Sequence, residues 1–410
     1  MLPKYDVFMF GLTRSEFSIS SVSVAWAKEW AKTNRVFYID RPYSLRDLLT
    51  KIDDESLKDK FSSLFLGENI YREIQFPTVS FTQVTPRITL PINFLPEGGL
   101  YNFLNQINNK VIDEVVKKII KDYNVKDYVF FNSFCPVTSP IISKKIQPQP
   151  LANIYQSLDE ISQEKYIARH GISAEFYAMR NCDIAIGTST GLCDRHAKEN
   201  NRQVHLLANA ADFDVFENAL NKDLPKPIEF ENIHKPIILY TGHYSDLRMD
   251  HDLVKKITES FPETEIFFVG TYEKKDLQNH GLLQIPNLHF IGSRPIESLP
   301  AYLKYAKLAI IPYATNELTK GIYPLKINEY LASGIPCVST SFSNDIRSFE
   351  GLIYISETHQ DFITNIRLAM QEDTNLKLTD RIAHAKENSW RTRIQKLEKL
   401  IAAFVAGEKV

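Results

Sequence analysis

The sequence has few cysteines, and none of them occurs in a paired motif. The four cysteines among 410 residues form no C-x-x-C pair, and no cluster of cysteine and histidine has the spacing of a zinc site. This pattern excludes a disulfide framework and favours a reducing compartment. We assign no histidine to a metal on these grounds.

Long hydrophobic runs and an excess of one charge are also missing. No apolar run reaches the roughly 20 residues that span a bilayer, and residues 6–11 form a strand-like run without a preceding signal peptide. Lysine and arginine number 48 against 50 aspartate and glutamate residues, which argues against a surface that binds nucleic acid. We expect a cytoplasmic protein without a nucleic-acid partner, although a peripheral contact with the cytoplasmic membrane face is compatible with this composition.

The chain contains neither G-x-G-x-x-G nor a P-loop, so the usual signatures of dinucleotide oxidoreductases and nucleoside triphosphatases are missing. It does contain two series of short apolar strands that alternate with amphipathic helices, on either side of a proline-containing stretch at 213–235 that we interpret as a linker. This alternation predicts an α/β protein with two Rossmann-like, doubly wound domains facing a central cleft.

A long helix is predicted over 100–123, where apolar residues share one side and lysines interleave with them. Such a helix can rest on an anionic membrane. It can equally be a helix that faces the core and exposes its lysines to solvent.

The stretch 319–340 is the most informative part of the sequence. It reads as a loop, a helix that begins near Pro324, a turn at Gly334 and a buried strand. Lys326 lies in the first turn, where free backbone N–H groups favour an anion, and Glu329 shares its face three residues later. The pair fits a phosphate and a ribose diol. The alternative is a capped surface helix with an i,i+3 ion pair.

Two runs, 287–313 (NLHFIGSRPIESLPAYLKYAKLAIIPY) and 324–340 (PLKINEYLASGIPCVST), resemble the C-terminal half of the glycosyltransferase group-one families, which have the GT-B fold. The similarity is greatest to bacterial surface-polysaccharide enzymes of the teichuronic-acid and xanthan glucuronosyltransferase types. Weaker similarity at 154–160, 182–189 and 207–213 extends it over most of the chain.

The resemblance implies an acceptor-binding domain over 1–210 and a donor-binding domain over 211–387, with a C-terminal helix at 388–410 that packs back on the first domain. It implies a nucleoside diphosphate sugar as donor, with Lys326 at the diphosphate and Glu329 at the ribose. The other donor-binding residues that it implies are Gly242, His243, Arg248, Ser293 and Arg294. Alternatively, Arg248 has a structural role at the entry to a helix, just before Asp250.

Many retaining members of these families have a glutamate eight residues before the position of Glu329, where this chain has Gly321. This departure favours the inverting xanthan-type relatives, which need a general base on the acceptor hydroxyl. The resemblance implies Asp159 as that base, with Glu160 as the second candidate, whereas a helix N-cap is the alternative role of Asp159. Gly11, Arg14 and Glu16 are candidates for contact with an acceptor or donor sugar, or else form a helix start.

Together these features predict a glycosyltransferase that moves a sugar from a nucleoside diphosphate sugar, with UDP favoured over GDP. The expected acceptor is a lipid-linked glycan or a polysaccharide in the biosynthesis of a bacterial surface polysaccharide. The resemblance implies no required metal and no cofactor. A nucleotide-sugar epimerase of the same fold and a non-catalytic donor-binding subunit are the alternatives.

Overall fold

The structure is a computed structural model that describes residues 3–14, 21–50, 60–163, 167–371, 374–408 and 410. Glu16, a predicted sugar-contacting residue, lies outside the described residues. The chain forms two compact units, one made of Met1–Leu207 with Ile394–Val410 and the other of Ala208–Arg393. Each unit is built on its own sheet.

The sheet of the first unit has eight strands in the order β3-β4-β2-β1-β5-β6-β7-β8. All neighbours are parallel except β3, which runs antiparallel to β4. The strands are β1 (Asp6–Gly11), β2 (Val36–Asp40), β3 (Tyr71–Gln75), β4 (Ser80–Val84), β5 (Tyr128–Ser133), β6 (Asn153–Ser157), β7 (Ile184–Gly187) and β8 (His205–Leu206). The helices are α1 (Val22–Ala31), α2 (Leu45–Thr50), α3 (Gly99–Tyr123), α4 (Ala168–Asn181) and α5 (Thr190–Asn200).

The central strands of this sheet are covered on both faces. Every residue of β5 is buried, as expected for a parallel sheet between helices. Helix α3 turns Ile112, Val116 and Ile119 into the core, and Lys118 pairs with Asp122 on its outer side. The core-facing interpretation of this helix is therefore confirmed for its C-terminal half.

The second unit has a six-stranded, fully parallel sheet in the order β11-β10-β9-β12-β13-β14. The strands are β9 (Ile237–Thr241), β10 (Glu265–Val269), β11 (Leu288–Ile291), β12 (Leu308–Ile311), β13 (Cys337–Thr340) and β14 (Tyr354–Ser356). The helices are α6 (Phe213–Phe216), α7 (His251–Ser260), α8 (Lys274–Asn279), α9 (Leu299–Tyr305), α10 (Glu317–Lys320), α11 (Leu325–Ala332), α12 (His359–Gln371), α13 (Thr374–Glu387) and α14 (Trp390–Val405), the last of which ends in the first unit.

The stretch 213–235 is not a linker. Phe216 and Phe230 are fully buried in the core of the second unit, and the ring of Phe230 packs edge-on against Phe267 at 4.7 Å. The prolines of this stretch therefore separate short packed turns instead of an exposed connection.

Each sheet has a topological switch point, where the order of the strands reverses. In the first unit, β1 lies between β2 and β5. In the second unit, β9 lies between β10 and β12. The loops that leave the two neighbouring strands diverge at such a point, and the crevice outside their carboxyl ends is where open α/β sheets bind ligands.

The stretch 319–340 folds largely as its sequence indicates. Pro324 is the N-cap of α11, and Gly334 follows its end with a φ of +72°, a left-handed conformation that glycine adopts without a steric penalty. Strand β13 begins at Cys337, directly after Pro336, because proline has no N–H to donate to a ladder. Among the described residues, no helix is long and apolar enough to cross a membrane.

Candidate donor and acceptor sites

The loop after β9 approaches the side chain of Lys326 very closely. Gly242 has a φ of +124°, and a Cβ atom placed on it would lie 2.3 Å from Cε of Lys326. Gly270, after β10, is equally constrained, since its Cβ atom would lie 2.1 Å from the carbonyl oxygen of Gly242. Both positions therefore need glycine for backbone conformation, and Gly270 also needs it for space, because its neighbour is backbone.

Lys326 lies above two tyrosines at the ends of adjacent strands. Its Nζ atom is 5.5 Å from the centre of the Tyr240 ring, a cation–π distance, and its charge acts on Tyr313. The hydroxyl groups of Tyr240 and Tyr313 are 3.1 Å apart. The lysine thus lies at the carboxyl ends of β9 and β12, at the topological switch point of this sheet.

Arg248 brings a second positive charge to the same place. Burial would raise the pKa of Tyr313, but the charge of Lys326, the hydrogen bond with Tyr240 and the charge of Arg248 outweigh it and lower that pKa. Among the described residues, no carboxylate lies within 4 Å of either cation in an ion pair. Two unneutralised cations beside a helix N-terminus form a site suited to an anion with several oxygens.

Glu329 lies one turn further along α11 and is only partly buried. It forms no ion pair with Lys326 within 4 Å, so the alternative of a simple i,i+3 surface pair is wrong. Burial raises the pKa of Glu329 to about 7, with Lys326 opposing this rise and Asp212 adding to it. Tyr330, the next residue, fixes the helix to β9, because its hydroxyl accepts a hydrogen bond from the backbone N–H of Thr241 at 3.0 Å.

The remaining predicted donor residues have other partners. The exposed His243 contacts the hydroxyl of Thr271 through Nδ1 at 2.9 Å. The guanidinium of Arg294 donates to Glu229 and to the hydroxyl of Tyr302 at 3.1 Å. Its side chain is therefore engaged within the protein, and the predicted contact of Ser293 and Arg294 with a nucleobase through main-chain atoms stays a prediction.

The first unit contains a cavity of about 490 Å³ beside the carboxyl ends of β1, β2 and β5. Its wall combines apolar groups with two arginines, Arg41 and Arg46, and one carboxylate, Asp47, which pairs with Arg14 at 3.6 Å. Arg41 makes no ion pair within 4 Å among the described residues. Oδ1 of Asn105, also on the wall, is buried and has no hydrogen-bond partner in the described parts of the chain. The cavity thus offers a positive charge, an acceptor and apolar surface to a ligand.

Two predicted sugar-contacting residues shape the surroundings of this cavity. Arg14 is buried, donates to the carbonyl oxygen of Arg41 at 3.0 Å and stacks on Tyr43. A Cβ atom on Gly11 would lie 2.1 Å from the Tyr38 hydroxyl, so glycine is needed for packing here. The structure shows supporting roles for both residues, and their contact with a sugar stays a prediction.

The predicted acidic pair follows β6 at its carboxyl end. Asp159 is half-buried, and its loop is held by Thr188, whose hydroxyl donates to the carbonyl oxygen of Leu158 at 2.7 Å. Glu160 accepts a hydrogen bond from Arg195 at 2.5 Å and another from the hydroxyl of Ser162. Glu160 is therefore tied to a neighbouring cation.

The donor-site residues lie in a segment with recognisable relatives. Residues 235–372 match the sequence profile of the family described as glycosyl transferases group 1. The second unit is a glycosyltransferase group 1 domain. The chain is also 23% identical over 186 residues to the Bacillus subtilis (strain 168) protein TuaH, named as a teichuronic acid biosynthesis glycosyltransferase. That match covers 44% of this chain and only 46% of TuaH.

Solved structures extend the likeness from the group 1 domain to both units. A sucrose-phosphate synthase from Thermosynechococcus elongatus superimposes with a TM-score of 0.64 at 13% identity, over 98% of this chain and all of that one. The Anabaena protein HepE, in complex with UDP and glucose, gives a TM-score of 0.59 at 13% identity, over 97% of this chain and all of that one. The predicted GT-B fold is thereby confirmed, as is the resemblance to the group-one families.

Sequence reasoning missed the tyrosines of the group 1 domain. Tyr240 and Tyr313 lie under Lys326, and Tyr330 anchors α11. One signal was available, since Tyr240 lies near the carboxyl end of β9 and Tyr313 just beyond that of β12, where sheets of this type bind ligands. Aromatic residues in buried strands are common, however, so this signal did not separate them from ordinary core residues.

Replacing Glu329 with glutamine is expected to change how stability depends on pH. Because the pKa of this carboxyl is raised from 4.5 to about 7 in the folded chain, the unfolded chain releases its proton first as the pH rises. The wild-type protein therefore loses stability over this window. Urea unfolding at about pH 5 and about pH 8 should show Glu329→Gln gaining stability relative to wild type at the higher pH. Exposed Glu259, replaced in the same way, is the control, and a pH-independent difference for Glu329→Gln would contradict the assignment.

Proposed function

We propose that the protein is a glycosyltransferase that uses a nucleoside diphosphate sugar, with UDP favoured. The observation that carries this proposal is the convergence of Lys326 and Arg248 on the Tyr240–Tyr313 pair, at the topological switch point of the second sheet. Such a site stabilises the diphosphate as it leaves with the developing negative charge. The family of the second unit and the UDP in the HepE structure support this choice.

In the proposed reaction the acceptor hydroxyl attacks the anomeric carbon of the donor sugar. Asp159 accepts the hydroxyl proton, the bond from the anomeric carbon to the diphosphate oxygen breaks, and its electron pair leaves with the diphosphate. This is a single displacement with inversion. Gly321 supports it, because its backbone is right-handed and a Cβ atom there meets only the carbonyl oxygen of Leu318, at 3.7 Å. A glutamate would fit at this position, so its replacement by glycine is not forced by packing.

The cavity of the first unit is the proposed acceptor site. Its apolar wall and Arg41, which makes no ion pair within the described ranges, suit a glycan that carries an anionic group on a lipid, such as a lipid diphosphate, better than a neutral free sugar. The free Oδ1 atom of Asn105 would accept a hydrogen bond from a sugar hydroxyl. This assignment places the acceptor in a polysaccharide pathway that builds on a lipid carrier.

Arg41→Ala is expected to raise the KM for such an acceptor roughly 10-fold or more, because a charged hydrogen bond contributes about 1.5–3 kcal/mol. Donor affinity should stay unchanged. Steady-state kinetics with a varied acceptor measure the effect, and Arg72→Ala, on exposed strand β3 of the same unit, is the matched control. Equal acceptor KM values for the wild type and Arg41→Ala would rule out an anion at this wall.

Peripheral contact with an anionic membrane face is part of the proposal. Leu100, Phe103 and Ile107 form a stripe at helical spacing on α3, with 63%, 61% and 39% of their surfaces exposed. Ile107 lines a second cavity together with Phe65 and the basic Lys110. Exposed apolar side chains beside lysine are what an interfacial helix presents to acidic lipids. The location of the chain in the cytoplasm follows from the same proposal.

Phe103→Glu is expected to weaken binding to vesicles that contain phosphatidylglycerol roughly 10-fold or more, since an inserted phenylalanine contributes about 1.5–3 kcal/mol. Co-sedimentation with such vesicles is the measurement. Leu368→Glu changes another exposed apolar residue, which lies in the second unit, and should bind like the wild type. If both variants sediment with vesicles as well as the wild type does, the stripe is not a membrane surface.

A thermal-shift panel of UDP, GDP and their sugars, followed by product analysis, tests the proposed function. A nucleotide at 100 times its Kd should add about 2.7 kcal/mol of apparent stability. Transfer of the sugar to a lipid-linked acceptor would support the proposal, whereas conversion of the sugar without acceptor would identify an epimerase. Binding without any turnover would indicate a non-catalytic subunit, and no shift with any nucleotide would overturn the donor site.

A further inference from the structure

Three potential metal ligands meet at the edge of the second unit. Oδ1 of Asp246 lies 3.0 Å from Nε2 of His251 and 2.7 Å from Nε2 of His280. The two imidazole rings stack with their centres 3.6 Å apart. Within the described parts of the chain, this is the one group of three such residues whose ligand atoms lie within 4.8 Å of one another.

The three residues come from separate segments. Asp246 belongs to the loop after β9, His251 begins α7, and His280 follows α8. Spacings of 5 and 29 residues between them match no zinc motif, which explains why the sequence indicated no metal-binding histidine. The fold alone brings them together, because β9 and β10 are neighbours in the sheet.

The surroundings orient the least exposed of these ligands. The hydroxyl of Tyr244 lies 2.8 Å from Nδ1 of His251, and Tyr244 is itself buried among Phe268 and Phe290. An outer partner of this kind, on the nitrogen that does not bind the metal, sets the ring orientation of a ligating histidine and fixes its tautomer. His251 is 12% exposed, whereas His280 and Asp246 are 34% and 46% exposed, so an ion has access from solvent.

Nε2 of both imidazoles lies against the same carboxylate oxygen of Asp246. Ligand atoms about 2.0–2.2 Å from a tetrahedral zinc ion lie roughly 3.3 Å apart. The two contacts from Asp246 would therefore widen by a few tenths of an ångström, and the stacked rings would turn apart to bring both lone pairs to one ion.

We propose that Asp246, His251 and His280 bind one first-row divalent transition-metal ion, of which zinc is the best match. Imidazole ligands select this class over magnesium and calcium, which prefer oxygen. The ion would fasten the loop that runs from Gly242 to Arg248 onto α7 and α8. The ion would stabilise the fold and take no part in the transfer chemistry, so this proposal does not depend on the proposed function.

Cobalt(II) titration of the untagged full chain, followed by visible absorption, is the direct test. Ligand-field bands are expected to saturate at one equivalent and to disappear when zinc is added. His280→Gln and Asp246→Asn are each expected to raise the Kd by about 100-fold or more, and Tyr244→Phe by roughly 10-fold, the range for loss of an outer partner. Thermal unfolding without metal confirms that each variant is folded.

His289→Gln is the matched control. His289 pairs with Glu265 at 2.6 Å in the same unit, but no third ligand joins this pair among the described residues. The control should titrate like the wild type. The proposal is overturned if the wild type shows no bands at one equivalent, or if His280→Gln titrates like the wild type.

Discussion

Lys326→Ala is expected to lower kcat by about 10²–10³, the usual cost of removing one group that stabilises developing charge. The lysine amine lies over Tyr240, and its charge acts on Tyr313. Among the described residues, no carboxylate within 4 Å neutralises it. As the diphosphate leaves, its charge grows, and the loss of Lys326 therefore affects the transition state more than donor binding. Steady-state kinetics and UDP binding by calorimetry separate the two effects.

Two variants give this experiment its controls. Lys320→Ala removes an exposed lysine of α10 that pairs with Glu317, and it should keep wild-type kcat. Lys326→Arg retains the charge but not the fit beside Gly242, where Cε is already in close contact, so partial activity is expected. If Lys326→Ala keeps the wild-type kcat, the assignment of the diphosphate to this site is refuted.

Asp159→Asn is expected to reduce transfer by about 10²–10⁴, the contribution of a general base, while UDP still shifts the thermal midpoint as in the wild type. Asparagine keeps the size of the side chain and its capping ability, so a purely structural N-cap role would leave activity nearly intact. Single-turnover transfer with a saturating acceptor is the measurement. Near-normal transfer by Asp159→Asn would refute the base role.

Glu160→Gln is the matched comparison for this experiment. Glu160 is bound by Arg195 and Ser162, so its loss should disturb the loop and lower stability more than it lowers the rate of the chemical step. A larger loss of kcat in Glu160→Gln than in Asp159→Asn would indicate that Glu160, and not Asp159, is the general base.

Local patterns in the sequence were enough for several features of the group 1 domain. Pro324 and Gly334 delimit α11, and Lys326 and Glu329 share its face, because helical spacing depends only on neighbouring residues. The same reasoning misassigned 213–235 as a linker. Prolines and charges there suggested exposure, but Phe216 and Phe230 found places in the core, and burial of large aromatic side chains outweighs local propensity.

What the sequence by itself determined is the alternation of strands and helices in two series and the one helix that carries Lys326 and Glu329, whereas it missed β3 and β4. The order of the strands decided everything that joins distant segments. It brought Tyr240 beside Tyr313, Arg248 to Lys326, and His280 to Asp246. The physical reason is that periodicity records which side of an element is apolar, whereas the partner that covers this side depends on the packing of the whole sheet.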